Sequence, residues 1–299
     1  MKSEILLIAL ATLLFIACPA AADRPGWNEP PRTPGHDRNG LLKINGDFFD
    51  MAAATGGDFY FWAPGEFAAS AGLLDVPIAS DPIALSYRSG GDNFAQSLEV
   101  PVDSAITRLT LFAGAQRLDE LRVLRPDGRT VEENPADIAV QVYEHMRIVT
   151  VEDPEPGLWR IEARAAGSCS IAARYLSGGE KLRVRGLEPV DLVDFAFVEV
   201  RGRPGHEGLF PVEMVRAGEE RLCRIALSRG VREPAVELVS AAGEVIGPTR
   251  LDASAGESAP DEFIGLCRVP EQPFRVRVRG LDQEGHLVQR ITTALIMPE

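Results

Sequence analysis

Residues 151–163, VEDPEPGLWRIEA, constrain the fold of this chain more than any other stretch. Pro154, Pro156 and Gly157 exclude a helix and shape a turn, after which Leu158 to Ala163 begins a strand of alternating character. A strand–turn–strand corner that carries a Trp inward belongs to a β-sandwich, and this one holds no group fitted to catalysis. Upstream, residues 94–112 and 121–128 supply two more strands, the second closed by the Pro126-Asp127-Gly128 turn.

The same alternation spreads in both directions. Leu98 and Val100, Ile106 and Leu109, Ile138 and Val140, and Ile148 and Val151 mark short strands separated by turn residues, which predicts an antiparallel sandwich over residues 91–178. Residues 181–185, 193–200, 211–215, 221–227, 235–239, 263–269, 274–280 and 287–295 predict a second sandwich over 180–299. Within it, residues 251–261 read as a long polar loop. Ahead of both, residues 23–90 open with a Pro- and Gly-rich leader and continue through a short helix at 47–55, stopped by Gly56 and Gly57, into an aromatic strand at 58–62.

Three segments carry a family resemblance. VPVDSAITRLTL at 100–111, LRPDG at 124–128 and DPEPGLWRI at 153–161 resemble the galactose-binding-like β-sandwich that follows the von Willebrand factor A domain in hemicentins and related A-domain proteins. The resemblance spans about residues 90–178, roughly a third of the chain, and residues 274–290 resemble the sandwich that comes next in those proteins. Ala54-Thr55-Gly56-Gly57 followed by aromatics is similar to the last helix and strand of an A domain. No Asp-x-Ser-x-Ser metal motif accompanies it, and too little chain precedes Ala54 to hold the missing sheet, so metal-dependent A-domain adhesion is not expected. The segment reads either as a remnant packed on the sandwich or as the mark of a truncated gene start. The fold class that follows is all-β: two antiparallel β-sandwich domains, galactose-binding-like or Ig-like and then Ig- or fibronectin-like, with a short α/β N-terminal appendage. By analogy the resemblance implies an extracellular adhesion role, and it names no ligand.

The N-terminus sets the expected compartment. A short basic start, an apolar run at 5–17 and a small-residue site at Ala20-Ala21-Ala22 read as an export signal over residues 1–22. The run is shorter than the ~20 residues of a membrane span, and no later segment is apolar for long enough. FIAC at 15–18 is similar to the box after which bacterial lipoproteins are acylated, so a lipid anchor on Cys18 stands as the alternative to simple secretion. Either route gives a secreted, periplasmic or cell-surface protein. The preference for Arg over Lys, with abundant Ala, Gly and Pro, points to a GC-rich bacterial genome. A net charge of −13 argues against nucleic-acid partners.

Candidate chemistry is sparse. His36, His145, His206 and His286 form no close pair and no metal-ligand spacing, and the chain lacks a nucleophile elbow, a phosphate loop and a dinucleotide fingerprint. The reading is therefore non-catalytic, with no obligatory cofactor. Calcium is a candidate at Asp92 and Asp103, which lie at a domain edge where loop carboxylates and carbonyls ligate such ions. Tyr60, Phe61 and Trp62 form a candidate ligand-binding platform, set against burial of both faces of that strand, and His206 lies on a loop. Cys223 and Cys267, on strand-like segments of one domain, are expected to pair as a disulfide worth about 3–4 kcal/mol by loop closure. Cys169 is left as a core residue. The expected function is recognition of an extracellular protein or glycan. The alternatives are a carbohydrate-active enzyme accessory with a hidden carboxylate pair, and an envelope assembly subunit that docks by a strand edge.

Overall fold

Two strands about three times ordinary length build the first sandwich. In the computed structural model, which describes residues 41–63, 66, 80–131, 137–177, 189–203, 205–212, 214–228, 231–252 and 261–299, β3 (Ile106–Leu124) and β6 (Gly157–Ser177) pair antiparallel along nearly their whole lengths. Register shifts between Ala115 and Arg117 and between Leu118 and Glu120 bend the pair, as bulges do. Gly167 sits at the bend with φ +80, where an added Cβ would meet Gln116 Oε1 at 2.6 Å. The C-terminal half of β6 pairs with β1 (Asp81–Arg88) and its N-terminal half with β2 (Phe94–Val102). The first half of β3 pairs with β5 (Met146–Glu152), which pairs with β4 (Ile138–Val142). One bent sheet is thereby laid over itself as two layers, with Trp159, Ile161, Leu109, Leu111 and Val100 sealed between them.

The Trp159 corner is as expected. The chain turns between β5 and β6 with Asp153 at φ 50 and Gly157 at φ 141, and the buried indole Nε1–H donates to Glu155 O at 2.9 Å. Two details differ. Residues 94–112 are not continuous strand: Asp103 Oδ1 accepts from Ala105 N at 3.0 Å and turns the chain between β2 and β3. Residues 81–88, expected within the appendage, are a full strand of the first sandwich.

The second sandwich follows the order β14-β13-β10-β11-β12-β9-β7-β8, with β7 (Leu192–Arg203), β8 (His206–Pro211), β9 (Glu220–Leu227), β10 (Arg232–Val239), β11 (Val245–Asp252), β12 (Glu262–Arg268), β13 (Arg275–Leu281) and β14 (Leu287–Ile291). β11 changes layers: its first half pairs with β10 and its last three residues with β12. The strand expected at 211–215 is displaced to β8, which pairs with β7 from Arg203↔His206 to Val198↔Pro211. The residues expected as strand at 181–185, the export segment with Cys18, and most of the polar loop at 251–261 lie outside the described residues.

Helix α1 (Gly46–Thr55) lies where the two sandwiches meet. Asn45 caps its start by accepting from Asp47 N at 3.0 Å, and Gly56 ends it in the left-handed conformation at φ 71. Its C-terminal carbonyls are then taken up from outside the helix: Ala53 O by the Arg275 guanidinium, Ala54 O by Leu295 N at 2.7 Å, and Gly56 O by Arg174 Nη2 at 2.7 Å. Otherwise orphaned acceptors thus become ties to both sandwiches. Phe49, Ala52 and Ala53 of α1 pack with Phe59, Phe61, Leu85, Tyr87 and Phe112, and with Val239 and Ile291 of the second sandwich.

Candidate functional site

The joint between the sandwiches concentrates the buried charge. Arg290 of β14 lies 2.8 Å from the Asp103 carboxylate, with side-chain exposures of 2% and 1%. Burial works against the guanidinium, but Asp103, Tyr175 and Asp191 together more than offset it and hold its pKa above the ordinary value. The same group donates from Nε to Val190 O and from Nη1 to Gln289 O, and stacks 4.1 Å from the Tyr175 ring centroid. Beside it, Ser104 donates to Asp282 Oδ2 from its amide at 3.1 Å and its hydroxyl at 2.7 Å, and Gln289 donates to Ile83 O at 2.8 Å. Asp103 is therefore a structural counter-ion of the second sandwich. The expectation of a calcium ligand at Asp103 is corrected on this ground. Asp92, its supposed partner, is exposed at the far end of β2, ~30 Å away at ~3.3 Å per residue. No cluster of three metal-ligating side chains occurs among the described residues.

The aromatic platform is likewise corrected. Residues 58–62 join no sheet, and Phe59 and Phe61 turn fully inward against Phe49. Tyr60 and Trp62 are half-buried, stacked on each other at 5.8 Å, with Tyr60 edge-on to Phe112 and Trp62 to Tyr143. The segment is pinned by a second buried ion pair, Asp58 to Arg174 at 3.0 Å. Phe61 has no free face to offer a sugar, and the structure does not bring these aromatics to His206.

Two features of the surface were not foreseen as sites. The first is a cavity of about 230 Å³ beside the joint, lined by Asp81, Tyr175, Asp191, Arg290, Thr292 and Thr293 among others. Tyr175 donates to Asp191 at 2.8 Å, while Asp81 has its pKa raised by burial and by repulsion from Asp191. The second is the β7–β8 hairpin at the end of the eight-stranded sheet. Val212 N donates to Phe197 O, which fixes the parity of the ladder. Phe210 and Gly208 therefore bond inward to β7, whereas Glu207, Leu209 and Pro211 turn their backbone groups to the free edge. His206 is exposed at the turn. On the hairpin Val200 and Phe210 are 55% and 45% exposed, and the Arg201 guanidinium lies 5.9 Å from the Phe210 ring centroid.

The three cysteines among the described residues are buried thiols in the cores. Cys169 is buried in the first sandwich, where loss of solvation pushes its pKa up to about 12 and leaves it inert as a nucleophile. Cys223 and Cys267 face the core of the second with no disulfide between them.

The topology defines an all-β chain of two antiparallel sandwiches joined through a buried polar seam. Residues 86–177 match the family described as hemicentin galactose-binding domain-like, which covers β2 to β6 and the end of β1. No curated protein matches the chain. Among solved structures it aligns with a Bacillus licheniformis lipase in its propeptide form at 11% identity and a TM-score of 0.27, over 78% of this chain and 51% of that one. It thus spans about half the length of that lipase. It also aligns with the titin domains z1z2 in complex with telethonin at 11% identity and a TM-score of 0.22, over 72% of this chain and 96% of that one. The assignment of the fold class rests on the strand order itself. No helix among the described residues is long and apolar enough to cross a membrane.

Proposed function

We propose that this chain is a non-catalytic recognition module acting outside the cell, and that it takes its partner at the β7–β8 edge. The observation that carries the reading is the free side of β8. Leu209 and Glu207 turn N–H and C=O groups away from β7 there, with no backbone partner among the described residues, beside exposed Val200 and Phe210, on a terminal strand of the eight-stranded sheet. Such an edge accepts an extended protein segment as an added strand, with backbone bonds supplying affinity and side-chain pockets selectivity. The seam supports this role by holding the edge at a fixed orientation to the hemicentin-like sandwich. In this reading the aromatic segment 58–62, similar to the end of an A domain, acts as packing for the joint, and export through residues 1–22, by secretion or with a lipid on Cys18, delivers the module. Neither calcium nor another cofactor is required.

The test is capture of a partner from cell-envelope extract by the full chain, repeated with Leu209→Pro and Phe210→Asp at unchanged melting temperature. A partner held by the wild type and lost by both variants supports the reading, and one retained by both overturns it. A parallel glycan array separates protein from carbohydrate recognition.

A second reading has one observation in its favour. Asp81 and Asp191 share the cavity at the joint, one pushed towards its neutral form and the other hydrogen-bonded by Tyr175. Two carboxyls with unlike environments are what acid–base work on a glycoside needs. Hydrolysis of an aryl glycoside panel that disappears in Asp81→Asn and in Asp191→Asn would favour an enzyme accessory over a binding module.

A further inference from the structure

We propose that Cys223 and Cys267 are a redox pair that closes to a disulfide across β9 and β12 when the chain folds in an oxidising medium. Cys223 stands opposite Gly265, and Cys267 stands opposite Arg221, so the two cysteines are diagonal neighbours two positions apart on facing antiparallel strands. Side chains two apart point to the same face, here the core: Cys223, Ile225 and Leu227 on β9 and Phe263 and Cys267 on β12 are all buried. Gly265 carries no side chain across from Cys223, which leaves that space to the Cys267 thiol. The thiols are hydrogen-bonded to each other, and that contact, followed by burial, pushes the Cys223 pKa up.

The same burial dictates the route. A thiol sealed in the core and held protonated is a poor nucleophile, so the bond does not form by attack in the finished sandwich. It forms while the second sandwich is still open. The Cys223 or Cys267 thiolate attacks a low-molecular-weight disulfide such as oxidised glutathione, giving a mixed disulfide and one released thiol. The second cysteine then attacks the protein sulfur of that mixed disulfide and expels the other thiol. Two cysteine thiols are oxidised, one external disulfide is reduced, and both cysteine protons end on the released thiols. Once β9 and β12 pair, the bond lies beyond the reach of reductant. It closes the loop over residues 224–266, which includes the layer-changing strand β11. Cys169 sits in the core of the other sandwich and takes no part.

The experiment refolds the full chain from denaturant with a mixture of oxidised and reduced glutathione, and in parallel with dithiothreitol. Each product is alkylated under denaturing conditions and its peptides are read by mass spectrometry. The oxidised product is expected to carry a Cys223–Cys267 linkage and one alkylated thiol, Cys169, and to melt ~10 °C above the reduced one. That increment should persist in Cys169→Ala and vanish in Cys223→Ala/Cys267→Ala. Native oxidised protein should resist dithiothreitol that reduces it within minutes in denaturant. Three alkylated thiols after oxidative refolding, or a linkage through Cys169, would overturn the proposal. Because the linkage is read chemically in the wild-type chain, the result does not depend on the variants folding.

Discussion

The Arg290 guanidinium and the Asp103 carboxylate meet at 2.8 Å with neither side chain open to solvent, and each comes from a different sandwich. A charge pair in that position stabilises little against an apolar substitute, but it is costly to break from one side because the remaining ion is left buried and alone. Arg290→Met and Asp103→Asn should therefore each destabilise the chain by about 3–5 kcal/mol. Asp103→Asn combined with Arg290→Met should lose markedly less than the sum. Denaturant melts of the four proteins give the coupling, and additive losses would show that the pair does not bind the sandwiches together.

Asp282 makes the same seam sensitive to acid. Burial opposes its charge, but the Ser104 hydroxyl and the His286 and Ser104 amides more than offset that and hold its pKa below the ordinary value. The folded pKa lies under the unfolded value of about 3.9. Its contribution is therefore fully present above that pH and is lost as pH falls through the folded pKa. Wild-type stability should fall on acidification from pH ~5 to ~2, and Asp282→Asn should be less stable at neutral pH and flatter across that window. Parallel curves for the two proteins would exclude Asp282 as the source.

Helix α1 is held by its end. Gly56 sits at φ +71 with a virtual Cβ only 1.9 Å from Thr293 O, so Gly56→Ala meets both backbone strain and a collision with the second sandwich. A loss of at least ~2 kcal/mol is expected. Arg275→Met removes the donor to Ala53 O and should raise amide exchange in α1 first, before that of β3 or β6. Uniform acceleration across the chain would argue against a local tie.

How much of this was legible in the sequence depends on where each residue's partners lie along the chain. Trp159 and the Gly56 stop were readable because their signals are local: a Pro- and Gly-rich turn before an alternating strand, and paired glycines after a short helix. β1 was missed because Pro82 to Tyr87 is buried on both faces, by the first core on one side and the joint on the other, which erases the alternation that marks a strand. β11 was missed because Gly247 and Pro248, which pair with Leu238 and Glu237 of β10, demote it. Asp103 read as a candidate ligand because nothing near it in sequence announces Arg290. The β8 edge was hidden for a similar reason, since only the ladder to β7 reveals which backbone groups remain unpaired.

Phe61 separates packing from recognition. It is fully buried against Phe49, Phe59 and the β3 residue Gly114, whose Cα hydrogens leave room for its ring: a Cβ there would lie 2.7 Å from Phe61 Cδ2. Phe61→Ala should cost about 3–5 kcal/mol by opening a cavity in the joint. It should leave any binding at the β8 edge unchanged per folded molecule. Leu209→Pro should do the reverse, because the outward N–H it deletes takes no part in the β7 ladder, and an edge position tolerates proline. Thermal melts and partner titrations on both variants distinguish the two roles. Binding lost in Phe61→Ala at temperatures where it is still folded, with Leu209→Pro unaffected, would move the recognition site from the hairpin to the joint.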